Sequence, residues 1–406
     1  MSWLWMLGGI YYRFHWERSG GLDYTDPPEP DGTPPVSILV PCHNEDSHIE
    51  ETIEHLLQQK YTNYEIIAID DGSTDDTGAI LDRLSQTITS LRVIHLSENR
   101  GKAMALRAGA MLSNSEYLVC IDADALLDEN AIHWMLPHLI DSPRVGAVTG
   151  NPRIRNRSTL LGKIQVGEFS SIVGLIKRAQ RIYGRVFTVS GVVTVFRKAA
   201  LQRINYWYAD TVTDDIDVSW RLQIDHWDIR YEPNALCWIL MPETYSGLWK
   251  QRLRWAMGGV ETAMRYAGSV LSWRQRRMWG VLIEFFTSAI WSCILALITV
   301  LWILGKFIVL PEQLDVPSLI PGWNGVVLGM TCLLQFLVSM IIDSRYEKGL
   351  PKNFFWIVWY PLAYWLINTA TLVVALFRVL LRREKRSGKW TSPDRGILEP
   401  KKGAPP

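Results

Sequence analysis

Three long stretches of the chain carry no charged residue. They are 285–305 (FFTSAIWSCILALITVLWILG), 323–342 (WNGVVLGMTCLLQFLVSMII) and the run from Phe354 to Phe377. Each is close to the roughly 20 apolar residues needed to cross a bilayer. A buried helix of a soluble domain rarely runs so far without a polar face. The last third therefore reads as membrane, and most catalytic options fall within residues 17–277. The bulk composition hides this division. Of 406 residues 20% are charged, and the formal net charge is +1. Such values exclude a disordered or collagen-like chain and offer no basic footprint for nucleic acid. The 19 Trp are a large excess, of a residue that gathers at membrane interfaces and on sugar platforms.

The organisation follows. Residues 1–16 form a short apolar segment, about half a span, which lies in the interface or is part of a longer helix. A linker covers 17–35, rich in Pro, Gly and Asp from Asp23 to Pro35. A soluble domain occupies 36–240, interface helices 241–278, membrane helices 279–381, and a basic tail 382–406. Arg274, Arg276 and Arg277 precede the first full span, and Arg13 and Arg18 follow the N-terminal segment. Positive flanks stay in the cytoplasm, so the soluble domain is expected there. Five Cys without paired spacing suit reduced thiols. Three simple crossings would put the tail RREKRSGK outside, against the same charge rule. Either 354–381 or 279–310 is then not a simple crossing, or the rule fails here.

The soluble domain alternates strand and helix. VSILVP (36–41), YEIIAID (64–70), LRVIHL (91–96), YLVCID (117–122) and RVGAVTG (144–150) read as strands. Helices are expected from about Ser47 to Gln59, and from near Asp75, Gly101 and Asp128. This order predicts an α/β domain with a Rossmann-like parallel sheet, whose ligands bind beyond the carboxyl ends of the strands. Two strands run into acidic clusters there: Asp71-Gly72-Ser73 and Asp122-Ala123-Asp124. Asp75 and Asp76 read as turn formers or helix caps. Asp122 and Asp124 alternate on an extended segment, so both carboxylates can grip one cation. Two anionic oxygens leave room for diphosphate and water, as Mg²⁺ or Mn²⁺ requires beside a nucleotide. No Walker A or G-x-G-x-x-G loop occurs. Instead, Asn99-Arg100-Gly101-Lys102 opens a helix, where a cation suits a pyrophosphate.

These residues resemble glycosyltransferase family 2. PCHNE (41–45), DDGS (70–73), GK (101–102), DAD (122–124), SG (190–191), TDD (213–215) and QRLRW (251–255) occur in the family's order over roughly 36–260. QRLRW matches the Q-x-x-R-W signature of processive members, which make cellulose, chitin, hyaluronan and poly-N-acetylglucosamine. The segments around 150–171, 177–184 and 238–259 look nearest to the last group. The resemblance implies a GT-A-like catalytic domain fused to C-terminal transmembrane helices. It implies an inverting enzyme that polymerises N-acetylglucosamine from UDP-N-acetylglucosamine into a β-1,6-linked exopolysaccharide for biofilms, with coupled export. Asp71 would contact uracil, with Glu45, Lys102 and Gly191 at the UDP-sugar. Asp122 and Asp124 would hold the divalent cation, and Asp215 would be the general base. Gln251, Arg254 and Trp255 would close over diphosphate and acceptor. Two positions depart from the family pattern: Asp214 replaces the usual Glu, and His43 replaces an aromatic residue beside the base. The family further implies a bacterial inner-membrane location, a small membrane partner subunit and cyclic di-GMP control, although no separate domain for that ligand is visible.

Chemistry alone supports the same roles. An attacking hydroxyl needs a carboxylate to take its proton, and the leaving diphosphate needs cationic stabilisation. Asp214 and Asp215 head a helix (DDIDVSWRLQ), so one is expected to cap it and the other to act as base. Trp255 offers a flat face to a sugar, or anchors an amphipathic helix at the membrane surface. RIRNR (153–157) reads as a solvated face or an anion site. His48, His55, His95, His133, His138 and His226 show no zinc spacing and read as ordinary surface or packing residues. Other readings are a different polymer synthase, a single-sugar transferase to a lipid phosphate, or a transporter with a nucleotide-binding domain. The last has no use for Asp215.

Overall fold

The structure is a computed structural model that describes residues 1–17, 23–318 and 322–381. The expected basic tail and Arg18 lie outside the described residues. Helix α1 (Ser2–Tyr12) ends in a π-helical turn at Arg13–Glu17. Four βα units follow in chain order. They are β1 (Val36–Cys42) and α2 (Ile49–Leu56), β2 (Tyr64–Asp71) and α3 (Thr77–Ser85), β3 (Leu91–Leu96) and α4 (Lys102–Leu112), and β4 (Tyr117–Ile121), β5 (Leu126–Leu127) and α5 (Ala131–Ile140). Then come β6 (Val145–Ile154), α6 (Leu160–Phe169), α7 (Ile176–Tyr183), β7 (Val193–Arg197), α8 (Lys198–Arg203), α9 (Asp214–Ile224) and β8 (Asp228–Ile239). The chain continues through α10 (Tyr245–Val270), α11 (Trp279–Leu304), α12 (Trp323–Asp343) and α13 (Tyr360–Leu380).

The eight strands form one sheet in the order β3-β2-β1-β4-β7-β6-β8-β5. The expected parallel pairing holds across β3, β2, β1 and β4. It then reverses, because β7 runs antiparallel to both β4 and β6. The sheet is therefore mixed, while β6 and β8 pair parallel again. Every residue of β1 is buried. Val36, Ile38 and Val40 enter one core, whereas Leu39 joins Ile67 and Ile69 in another on the opposite face. Burial on both faces is why this strand is continuously apolar. The carboxyl ends of β1, β2 and β4 lie side by side, so the two acidic clusters open on one crevice.

Three helical segments are long and apolar enough to cross a membrane: Trp273–Leu304, Gly325–Asp343 and Ala363–Leu380. The third differs from expectation. Helix α13 starts at Tyr360, with Pro361 in its first turn, and Leu350–Trp356 forms a 3₁₀ stretch before it. Proline suits the first helical turn and resists continuation from a preceding one. Along α13, Leu372 and Ala375 pack on Leu253, Met257 and Val260 of α10.

The RIRNR segment is also corrected. Arg153 is buried and donates to Asp343 Oδ2 at 2.7 Å and Ser170 Oγ at 3.2 Å. Arg157 pairs with Glu347. Only Arg155 resembles a solvated face, where it meets the exposed Glu51. Arg178 reaches the same Asp343 at 2.9 Å and Glu17 at 2.6 Å, while Arg345 adds a second contact to Glu17. The end of α12, the turn after α1 and the catalytic sheet thus meet in one ion-paired junction.

Candidate active site

The crevice begins at the end of β2. Gly72 has φ +63°, and a Cβ there would lie 2.7 Å from the Glu98 carbonyl carbon and 2.8 Å from the Asn99 nitrogen. Only glycine allows that loop to sit so close. Asp71 is fully buried, and its carboxylate accepts from the backbone N–H of Arg100 at 2.9 Å and of Gly101 at 2.7 Å. Its first role is therefore to hold the loop that starts α4, and a base contact would use its remaining lone pairs. His43 donates from Nδ1 to the Asp71 carbonyl at 2.9 Å and accepts at Nε2 from Asn99 Nδ2 at 2.9 Å. That pairing sets the neutral Nδ1–H tautomer, so His43 here ties two strand ends together. Glu45 is buried one turn before α2, and its N–H donates to Thr77 Oγ1 at 2.7 Å. Asp75 accepts from the N–H of Thr77 at 3.0 Å and of Asp46 at 3.2 Å, as a turn former does.

The second cluster converges with two elements from later in the chain. Lys102, on the first turn of α4, donates to Asp122 Oδ1 and to the Gly191 carbonyl, the latter at 3.1 Å. Gly191 lies against the base helix. A Cβ placed on it would sit 3.4 Å from Asp215 Oδ2 and 3.5 Å from Lys102 Nζ. Asp122, Lys102, Gly191 and Asp215 are thus contiguous. Asp214 and Asp215 occupy the first turn of α9, and the capping position belongs to Thr213, which makes no side-chain cap bond. Neither aspartate is therefore the expected cap. Among the described residues Asp215 Oδ1 accepts from the adjacent Ile216 N–H alone, at 2.9 Å. Burial, then the charge of Asp214, pushes the Asp215 carboxyl up to about 6, against the pull of Lys102 and Arg254. A carboxylate poised near neutrality suits a general base.

Helix α10 brings in the Q-x-x-R-W residues. Gly258 allows its approach, because a Cβ there would fall 1.9 Å from Thr213 Oγ1, at the head of α9. Arg254 is exposed and close enough to Asp215 to lower its pKa. Trp255 is half-buried, tilted against Phe169 at 6.3 Å, with the Arg252 guanidinium 4.3 Å from its ring centroid. Gln251 rests on Met241 Sδ at 3.7 Å, with its Oε1 buried and, among the described residues, without a hydrogen-bond partner. Three residues went unmarked in the sequence reading. Arg252 and Glu168 form a buried pair at 2.8 Å behind Trp255, a pairing that no short-range spacing signals. Gly258 was legible in principle, since Gly-Gly inside a helix asks for a packing reason.

Asp122 and Asp124 supply hard oxygen donors, but from a turn and not the expected extended segment: β4 ends at Ile121, and the Ala125 N–H closes back on the Asp122 carbonyl at 3.1 Å. Among the described residues no group of three or more His, Cys, Asp or Glu is disposed around a metal position. A pair of carboxylates without further protein ligands fits a cation that completes its shell with diphosphate and water.

The sheet and the site define a GT-A-fold sugar transferase. The chain belongs to glycosyltransferase family 2: the family described as "Glycosyltransferase like family 2" matches residues 34–258. It is thus a sugar-nucleotide-dependent hexosyltransferase. A poly-beta-1,6-N-acetyl-D-glucosamine synthase of Staphylococcus epidermidis is 38% identical over 404 residues, covering 98% of this chain and 97% of the relative. The Staphylococcus aureus (strain COL) protein of the same name is 39% identical over 396 residues, covering 98% and 96%. Among solved structures, the mannosyltransferase PcManGT of Pyrobaculum calidifontis, in complex with GDP-Man and Mn²⁺, shares the fold. Its TM-score is 0.54 at 20% identity, with 93% of this chain and 96% of that one covered.

Proposed function

We propose that the chain is a membrane-bound, processive, inverting transferase that polymerises N-acetylglucosamine from UDP-N-acetylglucosamine through β-1,6 linkages and exports the product. One geometric observation carries the chemistry: Lys102 bonds both Asp122 and the Gly191 carbonyl, and the space a Cβ on Gly191 would take is bordered by Asp215 Oδ2. It supports a diphosphate-binding end and a proton-accepting end on one crevice. The sugar and linkage rest on the staphylococcal relatives, whose similarity spans nearly the whole chain.

Asp215 takes the proton of the acceptor hydroxyl as its oxygen attacks the anomeric carbon. The bond from that carbon to the diphosphate oxygen breaks, and its electron pair leaves with UDP. One displacement converts an α-linked donor into a β-linked product, so no second nucleophile is needed. Lys102 and Arg254 offset the charge that develops on the leaving group. Asp122 and Asp124 would hold a divalent cation, Mg²⁺ or Mn²⁺, which supplies Lewis-acid stabilisation of the same diphosphate. Glu45 and Asp71 border the nucleoside, while Gln251 and Trp255 bound the acceptor.

The exposed Arg274, Arg276 and Arg277 at the head of the first span support a cytoplasmic catalytic domain in a bacterial inner membrane. The small membrane partner and cyclic di-GMP control come with this reading through the family resemblance. Incubating membranes with UDP-N-acetylglucosamine and sizing the product tests it. Long β-1,6 polymer is expected, whereas a single-sugar lipid or a differently linked polymer would overturn it.

A further inference from the structure

Lys177 lies on α7, only 5% exposed. Its ammonium donates to Thr149 Oγ1 at 3.4 Å. The same Thr149 oxygen accepts from the Ser190 N–H at 2.7 Å. Ser190 precedes Gly191, the residue packed against Asp215. The ammonium therefore sits directly behind the turn that floors the crevice. The other cations of α7 turn away. Arg178 goes to Glu17 and Asp343, and Arg181 to the Ile229 carbonyl. Among the described residues Lys177 forms no salt bridge, and the carboxylate acting on it is that of Asp215.

A lysine so placed is expensive. Leu or Met would fill the volume without desolvating a charge. We propose that Lys177 is a positioning residue of the transfer step, whose buried ammonium, braced on Thr149, keeps the Asp215 carboxylate ionised and ready for the acceptor proton. The inference rests on the reading of Asp215 as the base. It also gives Asp215 a cation of its own. Lys102 is engaged with Asp122 and the Gly191 carbonyl, and Arg254 is on the solvent side. The charged groups around Asp215 are then Asp214 beside it, Lys102 from α4, Arg254 from α10 and Lys177 from α7. Burial draws the Lys177 ammonium down to about 7, opposed by Asp215. It is therefore still mostly charged near pH 6, where Asp215 gains its proton, and gives up its charge only as pH rises through about 7.

The test is the pH profile of UDP release in membranes at saturating donor. Lys177→Met removes the cation, so Asp215 must hold its proton to higher pH. The acid limb should move up by about one pH unit. That is about a fivefold loss near pH 6, approaching tenfold by pH 5, with recovery to within about threefold of wild type above pH 8. Lys177→Arg, which keeps the charge, should leave the limb in place or move it down. UDP affinity should stay within about twofold in both. A uniform loss at every pH, or an unmoved limb in Lys177→Met, overturns the proposal, as does an upward shift in Lys177→Arg. If Lys177→Met does not accumulate in membranes, Thr149→Val, which unmoors the ammonium, should give a smaller shift in the same direction. An unmoved limb there counts against the proposal. Asp215→Asn assayed in parallel separates the premises. Wild-type turnover in that variant overturns the base reading itself. An inactive Asp215→Asn with an unmoved Lys177→Met limb overturns the Lys177 inference alone.

Discussion

Asp215 is pushed toward its neutral form by burial and Asp214, and pulled back by the cations around it. The sign of its pH behaviour follows. A general base works only when deprotonated, so turnover should fall as pH drops through about 6 and level off above it. Asp214→Asn removes the neighbouring negative charge and should shift that limb to lower pH while transfer persists. Asp215→Asn should lower turnover by about 10²–10⁴-fold, the usual range for losing a general base, with UDP binding within severalfold of wild type. A dead Asp214→Asn beside an active Asp215→Asn would reverse the assignment. Chelating divalent cations should stop turnover, and readdition of Mg²⁺ or Mn²⁺ should restore it. Activity persisting in excess chelator would remove the role given to Asp122 and Asp124. At this scale the sequence was informative where short motifs carry chemistry. It could not show that both oxygens of Asp71 hold the Arg100–Gly101 backbone. Nor could it show that Thr213 takes the cap position, because both facts depend on which loop returns to which strand end.

Between elements, the decisive contact is α10 against the head of α9. Gly258 meets Thr213 there with no room for a methyl group. Gly258→Ala should separate the two helices and carry Arg254 and Trp255 away from Asp215. Overpacking of this kind costs about 1–3 kcal/mol. Turnover is expected to fall by more than tenfold while UDP affinity changes little, because the nucleotide end of the crevice is built from β2, α4 and β4. Steady-state rates and UDP titration check this, and unchanged turnover would deny the contact its importance. The first four strands were legible because each is rich in apolar residues between turn residues, even β3, where Arg92 and His95 interrupt the run. The antiparallel β7 was not, since direction is set by partners distant in sequence. The charge-free run from Phe354 did not show that α13 begins at Tyr360. Hydropathy runs through Phe354–Trp359 without a break, and only the backbone demands of Pro351 and Pro361 divide it.

Across the whole molecule, the catalytic domain is joined to the membrane helices by charge as well as by apolar packing. Asp343 ends α12, fully buried between Arg153 of the sheet and Arg178 of α7. Glu17 joins the same group through Arg178 and Arg345. A periodicity analysis treats RIRNR as surface because it sees four polar residues in five, and it cannot see an aspartate 190 positions away. Removing one partner from a buried ion pair leaves uncompensated charge and costs about 3–5 kcal/mol, whereas exposed pairs are worth about 0–1 kcal/mol. Asp343→Ala should therefore markedly lower the thermal midpoint of the detergent-solubilised protein. Arg155→Ala, which breaks only the exposed pair with Glu51, should leave it nearly unchanged. Matching midpoints for the two variants would mean that apolar contacts alone hold the halves together. A drop confined to Asp343→Ala would place the coupling between membrane and active site in this junction, two residues from Thr149–Asn151 on the strand that supports the Lys177 turn.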